Sequence, residues 1–128
     1  MKIPQTIDVA QAMGALTFLP DRTPGREIID WSWAATLNKY RDGGIYVVHW
    51  AGESDWERHV ADELVMVLDG LTIMTLLIDD KEVERTLGPM QMIVVPKQTW
   101  HRFVTPDEVK VLAISPQPTE HRVDHPGG

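Results

Sequence analysis

The spacing of apolar residues changes period once along the chain. Between Thr6 and Leu16, Ile7, Ala10, Met13 and Leu16 recur close to helical spacing, and Asp8 suits the positive end of a helix, so the pattern predicts one short helix there. Gly14 inside it costs about 1 kcal/mol relative to alanine. The stretch from Pro20 to Gly25, PDRTPG, is turn chemistry and ends the helix. From Ile28 onward, β-branched and aromatic residues gather in short runs separated by Gly, Pro, Asp and Asn. These runs predict strands at Ile28 to Trp33, Ala35 to Tyr40, Ile45 to Trp50, Glu63 to Leu68 and Leu71 to Ile78. Further strands are expected at Val83 to Leu87, Gln91 to Val95, Trp100 to Val104 and Val109 to Ile114. Asp42-Gly43-Gly44, Asp69-Gly70 and Asp79-Asp80-Lys81 read as the turns between them. Short strands at close spacing without intervening helices predict an all-β, antiparallel sandwich or barrel.

Two strands are apolar on both faces. Leu64, Met66 and Leu68 have one parity and Val65 and Val67 the other, while Leu71 to Ile78 is nearly as greasy. A sheet with one wet face alternates more cleanly, so the second face is expected to lie under the helix or against another copy of the chain, as a homodimer. The expected division is an N-terminal arm with the helix over 1–26, a barrel over 27–115 and an extended C-terminal tail over 116–128. His121 and His125 lie in that Pro- and Gly-containing tail and are expected in solvent.

Composition narrows the function more than the fold. A chain of 128 residues with 43% hydrophobic and 24% charged side chains is the size of one domain and can fill one core. Its formal net charge of -7 repels phosphate backbones, so nucleic acid is not an expected partner. The longest apolar run, Leu64 to Leu68, is far short of the roughly 20 residues that span a bilayer, and no membrane association is expected. Nor does the first segment read as an export signal, which makes the cytoplasm the expected location. With no cysteine, any metal must be held by nitrogen and oxygen.

The polar residues that stand out are Glu57, His59, Glu63 and, much later, His101. In an extended strand, residues an even number apart share a face, so 57, 59 and 63 would point inward together, and antiparallel pairing could bring His101 opposite. Imidazole and carboxylate donors suit Fe, Mn, Ni or Zn, and such sites with open positions serve non-heme oxygen chemistry. The same His59–Glu63 spacing also fits an ordinary ion pair on a helix.

The segment Gly52 to Gly70, GESDWERHVADELVMVLDG, resembles the first motif of the cupin superfamily, G-x5-H-x-H-x3-4-E-x6-G. Leu87 to Thr105, LGPMQMIVVPKQTWHRFVT, is similar to the second, G-x5-P-x-G-x2-H-x3-N, through Pro96 and His101. The resemblance implies a jelly-roll barrel with a metal held by Glu57, His59, Glu63 and His101, with Glu57 standing where the family has its first histidine. Ala51 takes the place of the first motif glycine, with Gly52 one residue later. Met90, Gln98 and Thr105 replace the second motif's two glycines and its asparagine.

On these positions the chain is expected to be a small metal-dependent enzyme acting on a small organic ligand, of dioxygenase or isomerase type. Glu63 would be both a ligand and, if released, a base. The rival expectation is a non-catalytic ligand-binding or structural barrel, which the substituted motif positions favour. Trp56, Met92 and Phe103 are placed on the pocket wall, and His49 either lines the cavity or is a hydrogen-bonded core histidine. Trp100 also adjoins a ligand position, and Arg102 is expected outside.

Overall fold

A computed structural model describes residues 2–127. Its one helix, α1 (Val9–Gly14), is shorter than the apolar spacing suggested. Asp8 caps it by accepting from the Gln11 N–H at 3.0 Å, and Met13 is its buried residue. The strands are β1 (Leu19–Arg22), β2 (Ala34–Tyr40), β3 (Gly43–Glu53), β4 (Trp56–His59), β5 (Glu63–Gly70), β6 (Thr72–Ile78), β7 (Lys81–Leu87), β8 (Met92–Val95), β9 (His101–Pro116) and β10 (Thr119–Arg122).

All ten strands join one hydrogen-bonded network, and β9 is its spine. The C-terminal half of β9 pairs with β3 and β5, which continue to β2 and β8. Its N-terminal half pairs with β6, and His101 also meets β4. Because one strand belongs to both halves, the sheet folds over on itself as a jelly roll, and the inner faces meet in a core. Trp50, Val65, Val67, Val109 and Val111 come from one side of that core, and Met74, Leu76 and Leu87 from the other.

Alternation within the strands decides what faces inward. On β3, Tyr46, Val48 and Trp50 point into the interior, matched across the ladder by Val111, Ala113 and Ser115 on β9 and by Glu63 and Val65 on β5. The opposite face carries Ile45, Val47 and His49, then Leu112 and Ile114, then Leu64 and Met66, then Val94 and Met92. Helix α1 packs on β2 and β3. No helix of the described residues is long and apolar enough to cross a membrane.

Several elements differ from the sequence expectation. Ile28 to Trp33 forms no strand: Asp30 accepts from the Ser32 N–H at 2.9 Å, and this local turn breaks the extended run. Its aromatics instead stack, Trp31 on Trp33 at 5.1 Å. The runs Trp100 to Val104 and Val109 to Ile114 are one strand, continuous through Pro106. Three short polar strands, β1, β4 and β10, had no apolar periodicity to mark them. The β6–β7 turn is Asp79–Asp80, both with positive φ (51° and 63°), the twist that two-residue hairpins require.

The displaced motif glycine has a structural cause. Gly52, at φ +114°, lies so close to β1 that a Cβ there would stand 2.1 Å from the Arg22 carbonyl oxygen. Only glycine lets β1 run parallel to β3 with Arg22 opposite Gly52. Gly52→Ala is therefore expected to cost about 2 kcal/mol or more, lowering Tm by roughly 8 °C in a thermal melt. An unshifted melt would show that β1 is not held in this way.

Candidate metal centre and cavity

The four acidic and imidazole residues come together because three strand ends meet. His59 is the last residue of β4, Glu63 the first of β5 and His101 the first of β9. His101 is in register with Glu57 on one side and with Leu76 on the other. Ligand atoms of Glu57, His59 and His101 lie within 4.8 Å of one another. Glu63 stands between the two rings, with Oε2 3.1 Å from His59 Nε2 and Oε1 3.1 Å from His101 Nε2. Glu57 and His59 share a face by alternation within β4, whereas Glu63 begins a separate strand after a break at 60–62 and reaches the site through the pairing of β5 with β9.

The rings are oriented from behind. His101 Nδ1 is 2.9 Å from the Thr99 carbonyl, which only accepts, so Nδ1 carries a proton and Nε2 is the atom turned inward, where the neutral ring offers its lone pair. His59 Nδ1 lies 3.0 Å from Thr119 Oγ1, on β10. The Ser115 hydroxyl donates to Glu63 Oε2. What remains is a convergence of three buried atoms, His59 Nε2, His101 Nε2 and Glu63 Oε1, with no hydrogen bond that satisfies them. Buried polar atoms without partners are rare in folded proteins, and three aimed at one point fit a divalent cation. The donor set, imidazole nitrogen with carboxylate oxygen, is of the right chemistry for Fe, Mn, Ni or Zn.

Without an ion, protons do part of that work. Burial alone would raise the Glu63 carboxyl, but the two imidazoles at 3.1 Å outweigh it and bring its pKa down to about 2. Burial likewise lowers His101, while contact with Glu63, the charge of Glu57 and the Thr99 carbonyl together raise it above the ordinary imidazole value. The cluster thus favours positive charge at its centre.

Beside it opens a cavity of about 660 Å³, lined by the inner faces of β3, β5 and β9 together with Trp31 and Trp33. Glu57, His59 and Glu63 form part of its wall, as does Phe103, which meets Trp50 and His101 edge to face. The other residues expected at the pocket lie elsewhere. His49 and Met92 are on the outer face of the sheet, His49 against Phe18 (4.9 Å) and Glu108 (2.9 Å), and Met92 exposed opposite Met66. Their strand alternation is regular; it is the side of the sheet that differs. Trp56 points away from its neighbour Glu57 and packs against Arg102 and His125, so Arg102 covers a core tryptophan from outside. Trp100 lies beneath the Arg58 guanidinium at 4.6 Å.

Two lining residues carried no sequence signal. His121 sits on β10 directly opposite Glu57, its Nδ1 3.9 Å from Glu57 Oε1 and from Asp55. Arg22, from β1, lies over the rings of Trp50 (4.7 Å) and Trp33 (5.0 Å) and 3.7 Å from Glu57. Burial lowers its pKa, against the opposing pull of Glu57 and Asp55. A guanidinium remains protonated under such shifts. No periodicity marks an arginine inside PDRTPG; only the pairing of β1 with β3 brings it here.

Residues 44–115 match the family model of the Cupin domain. Over 49 residues the chain is 37% identical to the acireductone dioxygenase of Rhodopseudomonas palustris (strain TIE-1), which covers 38% of this chain and 30% of that protein. The match thus spans less than a third of that relative's length. In overall shape the chain is similar to a conserved protein of unknown function from Streptococcus pyogenes, with a TM-score of 0.62 and 18% identity over 92% of this chain and 91% of that one. It is also similar to hydroquinone 1,2-dioxygenase from Sphingomonas sp. TTNP3, solved with 4-hydroxybenzoate bound. There the TM-score is 0.56 and the identity 20%, over 80% of this chain and 85% of that one. At these identities the two structures show a common fold and nothing more.

Proposed function

The chain belongs to the cupin domain family, and from that premise we propose that it is a mononuclear metal-dependent enzyme transforming a small organic molecule in the cavity. Glu57, His59, Glu63 and His101 would hold the ion. The observation that carries this reading is the convergence of the buried His59 Nε2, His101 Nε2 and Glu63 Oε1, with both rings 3.1 Å from the Glu63 carboxylate yet without hydrogen-bond geometry, at the wall of a largely apolar cavity. When bound, a divalent metal supplies Lewis acidity toward a carbonyl or enolate oxygen and, if redox-active, a route for electrons to O2. Dioxygenase chemistry is favoured over isomerisation by the segment shared with an acireductone dioxygenase.

The surrounding residues orient and shield. Thr99 and Thr119 hold the two imidazoles with Nε2 inward, and Ser115 occupies one Glu63 oxygen. Trp33 and Phe103 would give the reacting end of a ligand an apolar wall. A carboxyl held down to about 2 is poorly matched to proton abstraction near neutral pH, which supports Glu63 as a ligand more than as a base. A second reading, a ligand-binding barrel without catalysis, draws support from Glu57, whose carboxylate already faces Arg22.

Reconstitution with Fe(II), Mn(II), Ni(II) and Zn(II) in turn, followed by elemental analysis and oxygen-electrode assays on enediol and hydroquinone substrates, tests the proposal. The expected result is one metal per chain and O2 uptake with a redox-active ion. Retained metal without turnover on any substrate counts against the enzyme, and no retained metal at neutral pH overturns it and favours the ligand-binding barrel.

We further propose that the protein is a homodimer. Leu64, Met66, Met92 and Val94 form a continuous outer apolar patch on β5 and β8, with Met92 and Val94 each 54% exposed. Patches of that kind mark interfaces. Light scattering at micromolar concentration is expected to give twice the chain mass, and a monomer would refute the assignment.

A further inference from the structure

We propose that Arg22 is the anchor for a carboxylate on the substrate, so that the cavity takes a small monocarboxylic acid with a flat apolar body. The inference rests on the cavity being a small-molecule site, as proposed above, and adds the chemical class of the molecule.

Three observations carry it. The first is an unused donor fork. The Arg22 side chain is only 17% exposed, yet among the described residues its single polar side-chain partner is Glu57 at 3.7 Å, beyond hydrogen-bond reach. Five N–H donors on a largely buried guanidinium are a strong demand for acceptors, and a planar carboxylate meets two of them at once.

The second is rigidity. The guanidinium is laid over Trp33 and Trp50, and its backbone is locked against Gly52, where no side chain fits. An arginine fixed in this way loses little freedom when an anion arrives.

The third is charge. Two carboxylates, Glu57 and Glu63, balance a divalent ion, and neutral imidazoles add nothing. Arg22 then leaves the lining at about +1. Asp55, held by the Gly25 N–H at 2.8 Å and 3.9 Å from His121, lies behind the lining and offsets part of that charge. Among the described residues the guanidinium is then the one positive centre of the organic wall, which favours a carboxylate over a neutral amide and gives a dianion such as a phosphate ester little further charge to pair with. Around that charge the wall is apolar: Trp31, Trp33, Val48, Val65 and Phe103 accept a flat, greasy body. With Arg22 beside Glu57, the carboxylate is anchored next to the ligand group.

The test compares 4-hydroxybenzoate with its neutral isostere 4-hydroxybenzamide by isothermal titration calorimetry on the Zn-loaded protein, a redox-silent form that reads binding without turnover. Wild type is expected to bind the acid about 10-fold or more tighter than the amide. Arg22→Gln should bring the ratio close to one while leaving the affinity for the amide within about twofold, and Arg22→Lys should keep a reduced preference. Equal affinities in wild type, or a preference that survives Arg22→Gln, overturns the assignment and leaves the cavity as a ligand site. If neither compound binds at millimolar concentration, the ligand-site reading falls and this inference with it. Should Arg22→Gln fail to fold, Arg22→Lys decides: a ratio of acid to amide equal to that of wild type, despite loss of the bidentate fork, overturns the assignment.

Discussion

Replacing His101 with alanine is expected to lower metal affinity by at least about 100-fold. Disturbing even the partners behind a metal ligand costs about 10- to 100-fold, and removing a ligand from a closed set leaves the remaining groups unable to complete the shell. His101 is fully buried, its Nδ1 is tied to Thr99 and its Nε2 faces Glu63, so no neighbouring side chain can swing in to replace it. Glu57→Ala is expected to do less, since Glu57 is only partly buried and three ligands remain. Metal content after dialysis against a weak chelator measures both, with circular dichroism to establish that each variant is folded. Because a void at a fully buried position itself destabilises, His101→Gln provides a better-filled control. Full occupancy in folded His101 variants would remove this residue from the ligand set.

The second large effect is an opposite dependence of the metal-bound and metal-free forms on pH. In the metal-free protein, His101 has a pKa raised above its ordinary 6.5, so the stability it contributes is fully present below that value and is lost as pH rises through the folded pKa. Glu63 is lowered from 4.5 to about 2, so its contribution is present above 4.5 and lost as pH falls toward 2. From this cluster alone, the metal-free protein is most stable between about pH 4.5 and 6.5. Coordination requires neutral imidazoles, so metal and proton compete for the same nitrogen atoms. The rise in Tm on adding metal is therefore expected to be large at pH 8 and to shrink toward zero near pH 5. Paired thermal melts with and without metal across that range check it. A rise in Tm independent of pH would mean that the ion is held by oxygen alone.

The short β-branched and aromatic runs between turn residues were sufficient to locate β2, β3 and β5 to β8, and with the motif likeness an antiparallel jelly roll. The spacing of Glu57, His59, Glu63 and His101, with its likeness to a known pair of motifs, was sufficient to single out the residues that the fold gathers. Those features are local: alternation and spacing are properties of the chain before it folds. Strands β1 and β10 were not legible because their residues are polar and only ladder partners on β3 and β4 hold them extended, and β4 was read only as part of a longer strand running on to Glu63. Nor could alternation say which side of a strand is the inside. Ile45, Val47 and His49 share a face, but that face became the outer one once Tyr46, Val48 and Trp50 turned toward the cavity. Arg22 and His121, far from the motifs in sequence, reach the cavity for the same reason as the polar strands that carry them. The sequence by itself determined most of the apolar strands and the donor chemistry on offer at residues 57, 59, 63 and 101. The tertiary structure decided which face is inside and what charge meets a ligand there, because burial depends on what packs across the sheet.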